Sequence, residues 1–178
     1  AQNNPPAWRS GRHNKDKQGQ LLIDKLLAGS SIALVSNAGT PLISDPGYEL
    51  VNLCVEHNIL VRVIPGASAA VSALAISGLP TDKFIFEGFL PKKPSKRRKR
   101  LQEISSETRT IVIYESPYRI LKTLSELKDI LGERRIVLAR EMTKFYEEVI
   151  RGNIEDVIQH LGCKKIKGEI TLVIMGAD

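Results

Sequence analysis

Ser36-Asn37-Ala38-Gly39-Thr40-Pro41-Leu42-Ile43-Ser44-Asp45-Pro46-Gly47 decides the reading of this chain. It follows Ile32-Ala33-Leu34-Val35, a short apolar run of the kind that forms a buried strand. Two glycines and two prolines leave the stretch little bulk, so the chain turns tightly and carries bare backbone past the strand end. In an open α/β sheet that is where ligands bind. The same residues also suit a plain strand-to-helix connection, because neither G-x-G-x-x-G nor the phosphate-loop pattern is present.

Upstream, the spacing predicts a helix over 18–27 with Leu21, Leu22, Leu26 and Leu27 inward, stopped at Gly29. Downstream, Asp45 takes a helix N-cap position and Pro46 the first helical one, opening a helix to about His57. Leu50, Val51, Cys54 and Val55 face its core side. Residues 59–64 read as a second apolar strand. Strand, loop, helix, strand is the βαβ pattern of a parallel sheet. Pro65-Gly66-Ala67-Ser68-Ala69-Ala70 is a second small-residue junction, opening a helix over 68–77 whose alanines and serines permit close packing.

Thr81-Asp82 reads as a hinge, giving two α/β domains, 1–82 and 83–178. The second holds strands at 84–89, 110–114, 135–139, 145–151 and 170–175. One helix runs from Ser116-Pro117 to about Leu131, with Ile120, Leu124 and Leu127 on one face. Another, capped by Asn153, ends at Leu161.

The chain has 178 residues, 42% hydrophobic and 26% charged, a composition with room for a substantial core. No apolar run reaches membrane-spanning length and no signal-peptide pattern opens it. The first residue is not Met and 1–12 are polar, so the chain reads as a fragment or processed product. Cys54 and Cys163 are far apart, and His13, His57 and His160 are scattered. This usage fits a cytoplasmic setting without a structural disulfide or protein-bound metal.

Net charge is +6, and seven of the nine residues from Lys92 to Arg100 are Lys or Arg. Lys92, Lys93, Lys96, Arg97, Arg98, Lys99 and Arg100 suit a phosphate backbone, where each neutralised phosphate releases counterions. Apart from Phe89 the run lacks interleaved aromatics. Three turns at strand ends, 36–47, 65–70 and 114–117, are small or polar, and together they suit a nucleotide-like cofactor. Arg140-Glu141, Glu147-Glu148 and Gly168-Glu169 are further polar candidates. No Ser-His-Asp or Cys-His arrangement is present, and no carboxylate pair is spaced for hydrolysis.

Several segments, in order, carry a resemblance: S-N-A-G-T-P-L-I-S-D-P-G-Y-E-L (36–50), V-I-P-G-A-S-A (63–69), S-G-L-P-T-D-K-F (77–84) and F-E-G-F-L-P (86–91). After the basic run come Y-E-S-P-Y-R (114–119), A-R-E-M-T-K (139–144) and K-G-E-I-T-L-V (167–173). The chain resembles the tetrapyrrole methylase superfamily of S-adenosylmethionine-dependent methyltransferases. Within it, the chain is similar to the ribosomal RNA small subunit methyltransferase I group, which methylates a cytidine 2′-hydroxyl in 16S ribosomal RNA.

The resemblance implies a two-domain fold with S-adenosylmethionine in the cleft between the domains, and a homodimer acting on 16S ribosomal RNA or the small ribosomal subunit. It implies cofactor contacts from Gly39, Thr40, Pro41, Ile43, Ser44, Ser68 and Ala69. Tyr114, Glu115, Arg140, Glu169 and Ile170 would add others. Glu115 and Arg140 are the candidate catalytic groups beside the ribose hydroxyl. Asn37 stands where the group has Asp. The strand and T-P-I-G-N-L loop that open the family pattern have no counterpart before His13-Asn14. The first domain is therefore expected to be incomplete, with an open sheet edge. Two other readings stay open: a methylase of a tetrapyrrole or other small molecule, and a non-catalytic RNA-binding fragment.

Overall fold

The computed structural model describes residues 15–162 and 165–177. Residues 1–12, His13, Asn14 and Cys163 lie outside the described residues. The chain divides into two compact units, Ala1–Ala67 and Ser68–Asp178.

In the first unit, α1 (Lys15–Leu27) packs on α2 (Tyr48–Glu56) through Ile23, Leu50 and Cys54, all buried. Gly19 makes the approach possible, since a Cβ there would sit 2.9 Å from Leu53 Cδ1. Leu21, Leu27 and Val55, expected inward, are exposed. Instead, Leu22, Ile23 and Leu26 form the stripe that faces α2, because consecutive helical turns bring i, i+3 and i+4 to one face. Asp45 does not cap α2. Gly47, at φ 137°, precedes the first helical residue, so the helix starts at Tyr48, two residues later than expected.

The expected strands over 31–35 and 59–64 do not form. Both segments lack ladder partners among the described residues, and Val35, Val63 and Ile64 are 81%, 75% and 83% exposed. A strand satisfies its backbone through neighbouring strands, so an apolar run without one has no sheet to join.

The second unit fulfils the α/β expectation. It begins with α3 (Ala69–Ser77). There follow β1 (Phe84–Phe89), α4 (Pro94–Glu103), β2 (Thr110–Glu115), α5 (Ile120–Leu131), β3 (Arg135–Arg140), β4 (Glu148–Asn153), α6 (Ile154–Leu161) and β5 (Ile170–Ile174). The five strands form one sheet in the order β1-β2-β5-β3-β4, with β1 and β2 parallel and the other pairs antiparallel. Residues 145–147 turn into β4 rather than extending it, so that strand starts later than the sequence predicts.

Successive side chains of a strand point to opposite faces, and here both faces are covered. Ile111, Ile113, Ile136, Leu138, Leu172 and Ile174 bury against Ile120, Leu124 and Leu127 of α5 and Ile154, Val157 and Leu161 of α6. Val112, Val137, Ala139 and Val173 bury against Ala70, Ala73 and Leu74 of α3. The small residues of α3 permit this close seat, and Gly78 ends the helix at φ 74°. Asn153 and Asp156 form a reciprocal capping box at the start of α6.

Candidate functional site

Within the first unit, the loop 36–47 lies against the turn that ends at Ala67. Thr40 Oγ1 donates to the Ala67 carbonyl at 3.0 Å, so the two small-residue turns are tied together. A Cβ on Gly39 would meet only that same carbonyl, at 3.7 Å, and one on Gly66 would meet Thr40 Oγ1 at 3.5 Å. Gly39, Leu42 and Ser44 all have positive φ (71°, 74° and 61°). For Leu and Ser this conformation is uncommon and costs about 1–3 kcal/mol each, a pattern concentrated at ligand sites. Gly39, Thr40, Pro41, Ile43 and Ser44 therefore lie on one tightly coiled, backbone-rich surface.

Within the second unit, the expected site residues lie at one end of the sheet. Strand register sets Glu115, Ile170, Arg140 and Glu148 in a row across β2, β5, β3 and β4. Beside the row, the Ala70 N–H donates to the Tyr114 hydroxyl at 3.1 Å, joining the start of α3 to the end of β2. Ser68 caps α3 by accepting from the Val71 N–H at 3.4 Å. Ser68, Ala69, Tyr114, Glu115, Arg140, Glu169 and Ile170 are thus gathered at one sheet end, where a helix start also presents backbone donors. The Tyr114 ring packs against Phe86 (centroids 4.9 Å apart) and Phe89 (5.6 Å).

Both proposed catalytic groups are engaged by neighbours. Glu115 is 2% exposed. Its Oε1 accepts from the Ser116 N–H at 2.6 Å, and its Oε2 from Thr123 Oγ1 at 2.7 Å and Arg119 Nη2 at 3.2 Å. Arg140 donates from Nε to Glu148 Oε2 at 3.0 Å and from Nη1 to the Lys167 carbonyl at 3.2 Å. Next to it, the Glu141 N–H donates to the Glu169 carbonyl, and Glu141 Oε1 accepts from the Glu169 N–H at 2.9 Å. That backbone bond, then Lys144, holds the Glu141 carboxyl below its ordinary range. Lys144 bridges Glu141 and Glu169, 3.0 Å from each. Gly168 is essential to the fit. It has φ 90°, and a Cβ there would fall 2.3 Å from Glu141 Cγ.

The basic run forms α4 and its approach, and its cations divide into two groups. Arg97 is 3% exposed. It makes a two-point pair with Glu126 at 2.6 and 2.7 Å and donates to the Pro91 and Lys92 carbonyls. The pair lowers the Glu126 pKa and raises that of Arg97. Arg100 pairs with Glu87 and Glu103. Arg97 is thus enclosed and Arg100 is occupied, which leaves Lys92, Lys93, Lys96, Arg98 and Lys99 as the exposed cations of the run.

Sequence reasoning missed Arg119, Thr123, Glu126 and Lys144 as supports of this region. The four-residue spacing of Glu115 and Arg119 was a usable signal. Arg97 and Glu126 are 29 residues apart and gave none. Among the described residues, no three His, Cys, Asp or Glu side chains gather as a metal ion requires, and no helix is long and apolar enough to cross a membrane.

Comparisons with known proteins bear on the family and the fold. The Tetrapyrrole (Corrin/Porphyrin) Methylases profile matches residues 3–158. The chain is 49% identical over 164 residues to ribosomal RNA small subunit methyltransferase I of Halalkalibacterium halodurans, covering 92% of this chain and 57% of that protein. It is 44% identical to the enzyme of the same name from Thermotoga maritima, covering 97% and 78%. The chain therefore spans little more than half the length of some of the relatives it matches.

Among solved structures, the methyltransferase CobJ superposes with a TM-score of 0.67 at 18% identity, covering 97% of this chain and 74% of that one. Uroporphyrin-III C-methyltransferase from Thermus thermophilus, solved with S-adenosyl homocysteine, superposes at 0.58 with 18% identity, covering 92% and 74%. The methyl donor that goes with the matched family is S-adenosylmethionine. On these grounds the chain belongs to the tetrapyrrole methylase family and, within it, to the ribosomal RNA small subunit methyltransferase I group.

Proposed function

We propose that this chain takes part in S-adenosylmethionine-dependent 2′-O-methylation of a cytidine ribose in 16S ribosomal RNA. It would act as a homodimer in the cytoplasm, on the small ribosomal subunit or its RNA, with 1–82 and 83–178 as its working halves. One observation carries the reading. The sheet end that gathers the second unit's expected cofactor residues also carries, after β1, the start of the exposed basic run.

The residues fit the cofactor. Gly39 and Gly66 leave the first unit's turns open, and Thr40 is fixed by the Ala67 carbonyl. Gly39, Thr40, Pro41, Ile43 and Ser44 would line it, with Ser68, Ala69, Tyr114, Arg140, Glu169 and Ile170. When bound, S-adenosylmethionine supplies a methyl group on a sulfonium centre. Glu115 holds the 116–119 turn and Arg140 holds the 167–169 turn, so both serve as positioning residues. Their carboxylate and guanidinium are occupied by neighbours, and the rate advantage then comes chiefly from orientation.

Incubation with methyl-labelled S-adenosylmethionine and small ribosomal subunits, followed by alkaline hydrolysis, tests the reading. A 2′-O-methyl group blocks cleavage at its own nucleotide, so label is expected in an alkali-resistant dinucleotide beginning with cytidine. Label on a base, on a small tetrapyrrole in place of RNA, or nowhere contradicts it.

A further inference from the structure

Tyr118 is 95% exposed, yet its turn is firmly held. Pro117 precedes it, the Tyr118 N–H donates to Ser116 Oγ at 3.3 Å, and the Arg119 N–H donates to the Ser116 carbonyl at 3.0 Å. Arg119 Nη2 then reaches the Leu90 carbonyl at 3.0 Å, while Arg97 Nη1 holds the Pro91 and Lys92 carbonyls at 3.4 and 3.3 Å. The Tyr118 turn and the segment carrying Lys92 and Lys93 are therefore fastened side by side. An aromatic ring that buries almost nothing contributes little to folding, but on a fixed turn it offers a flat surface at small entropic cost.

Charge separates this ring from the exposed pair Phe145 and Tyr146. Phe145 and Tyr146, 93% and 67% exposed, form a T-shaped pair on the turn before β4. Their neighbour Lys144 is compensated by Glu141 and Glu169, and Glu147 and Glu148 follow. Beside Tyr118, Lys92 and Lys93 are exposed and make no ion pair among the described residues.

We propose that Tyr118 is a stacking platform for one unpaired RNA base, with Lys92 and Lys93 taking the adjoining phosphates. The proposal deepens the RNA reading above and rests on it. An aromatic face beside uncompensated cations is the combination that holds single strands, since every base has a π-face and every linkage a negative charge. It also supplies the aromatic that the basic run lacks in sequence. The bound strand is single, because a base inside a duplex has both faces covered.

The test uses the whole chain and a 12-nucleotide single-stranded oligoribonucleotide containing 2-aminopurine, read by anisotropy and by quenching of the probe. Tyr118→Ala is expected to weaken binding about five- to hundred-fold and to relieve the quenching. Tyr118→Phe is expected to stay within about two-fold, since the ring is kept. Replacing Lys92 and Lys93 by Ala should make the slope of log K against log salt shallower by about 1.4. An unchanged melting curve checks that Tyr118→Ala is folded.

Wild-type binding with Tyr118→Ala equal to it overturns this proposal alone. A wild-type chain that binds no oligoribonucleotide overturns it together with the RNA reading. A Tyr118→Ala chain that changes sedimentation but not RNA affinity overturns it by assigning the ring to contact between copies.

Discussion

Residues 32–35 and 111–113 are both short apolar runs, yet only the second is a strand. Ile111, Val112 and Ile113 are fully buried, with β1 on one side and β5 on the other. In the first run Ile32 and Val35 are exposed, and 31–35 has no ladder partner among the described residues. The same contrast separates 59–64 from β3 and β5. An apolar β-branched run states a demand for neighbours. Whether it becomes a strand depends on residues elsewhere that hydrogen-bond to it and cover its faces.

Core truncation should separate the two regions most sharply. Leu138→Ala, at a fully buried position, is expected to cost about 2–5 kcal/mol in urea unfolding followed by circular dichroism. Val63→Ala, at 75% exposure, should stay within about 0.5 kcal/mol. A comparable loss at Val63 would break the comparison by showing that 59–64 packs.

Much of this was legible because the second unit obeys local rules. The Ile120-Leu124-Leu127 stripe and the Asn153 cap each depend on a few adjacent residues, and each was read correctly. The first unit was misread where the outcome depended on distant chain. The strand runs lacked partners, and α2 started two residues late because of Gly47. At the site, the motif segments located the turns. The sequence could not show that Glu115 is saturated by Ser116, Arg119 and Thr123, or that Arg97 turns away from solvent toward Glu126. Those facts need the third dimension.

The next effect sharpens the comparison from the side of charge. Arg97→Ala leaves the Glu126 carboxylate without its partner and should cost about 3 kcal/mol. The double replacement Arg97→Met with Glu126→Leu should recover most of it. Failure to recover would mean that Arg97 matters chiefly for the Pro91 and Lys92 carbonyls. Gly168→Ala should cost about 1–3 kcal/mol, because the position combines positive φ with no room beside Glu141.

The smallest effect is in pH. Glu126 and Glu141 have pKa values lowered in the folded chain, so each contributes stability above the ordinary carboxylate value of 4.5, lost as pH falls through the lowered one. Stability should therefore decline on acidification below about pH 4.5, and the Arg97→Met, Glu126→Leu chain should show a shallower decline. An identical slope would remove Glu126 from the account.

Amide hydrogen exchange with and without S-adenosylmethionine tests the cofactor site most directly. Added cofactor should slow exchange at 39–44, 68–71, 114–116 and 169–170, while β4 and α6 stay unchanged. Protection confined to other segments, or none at these four, would contradict the site assigned here.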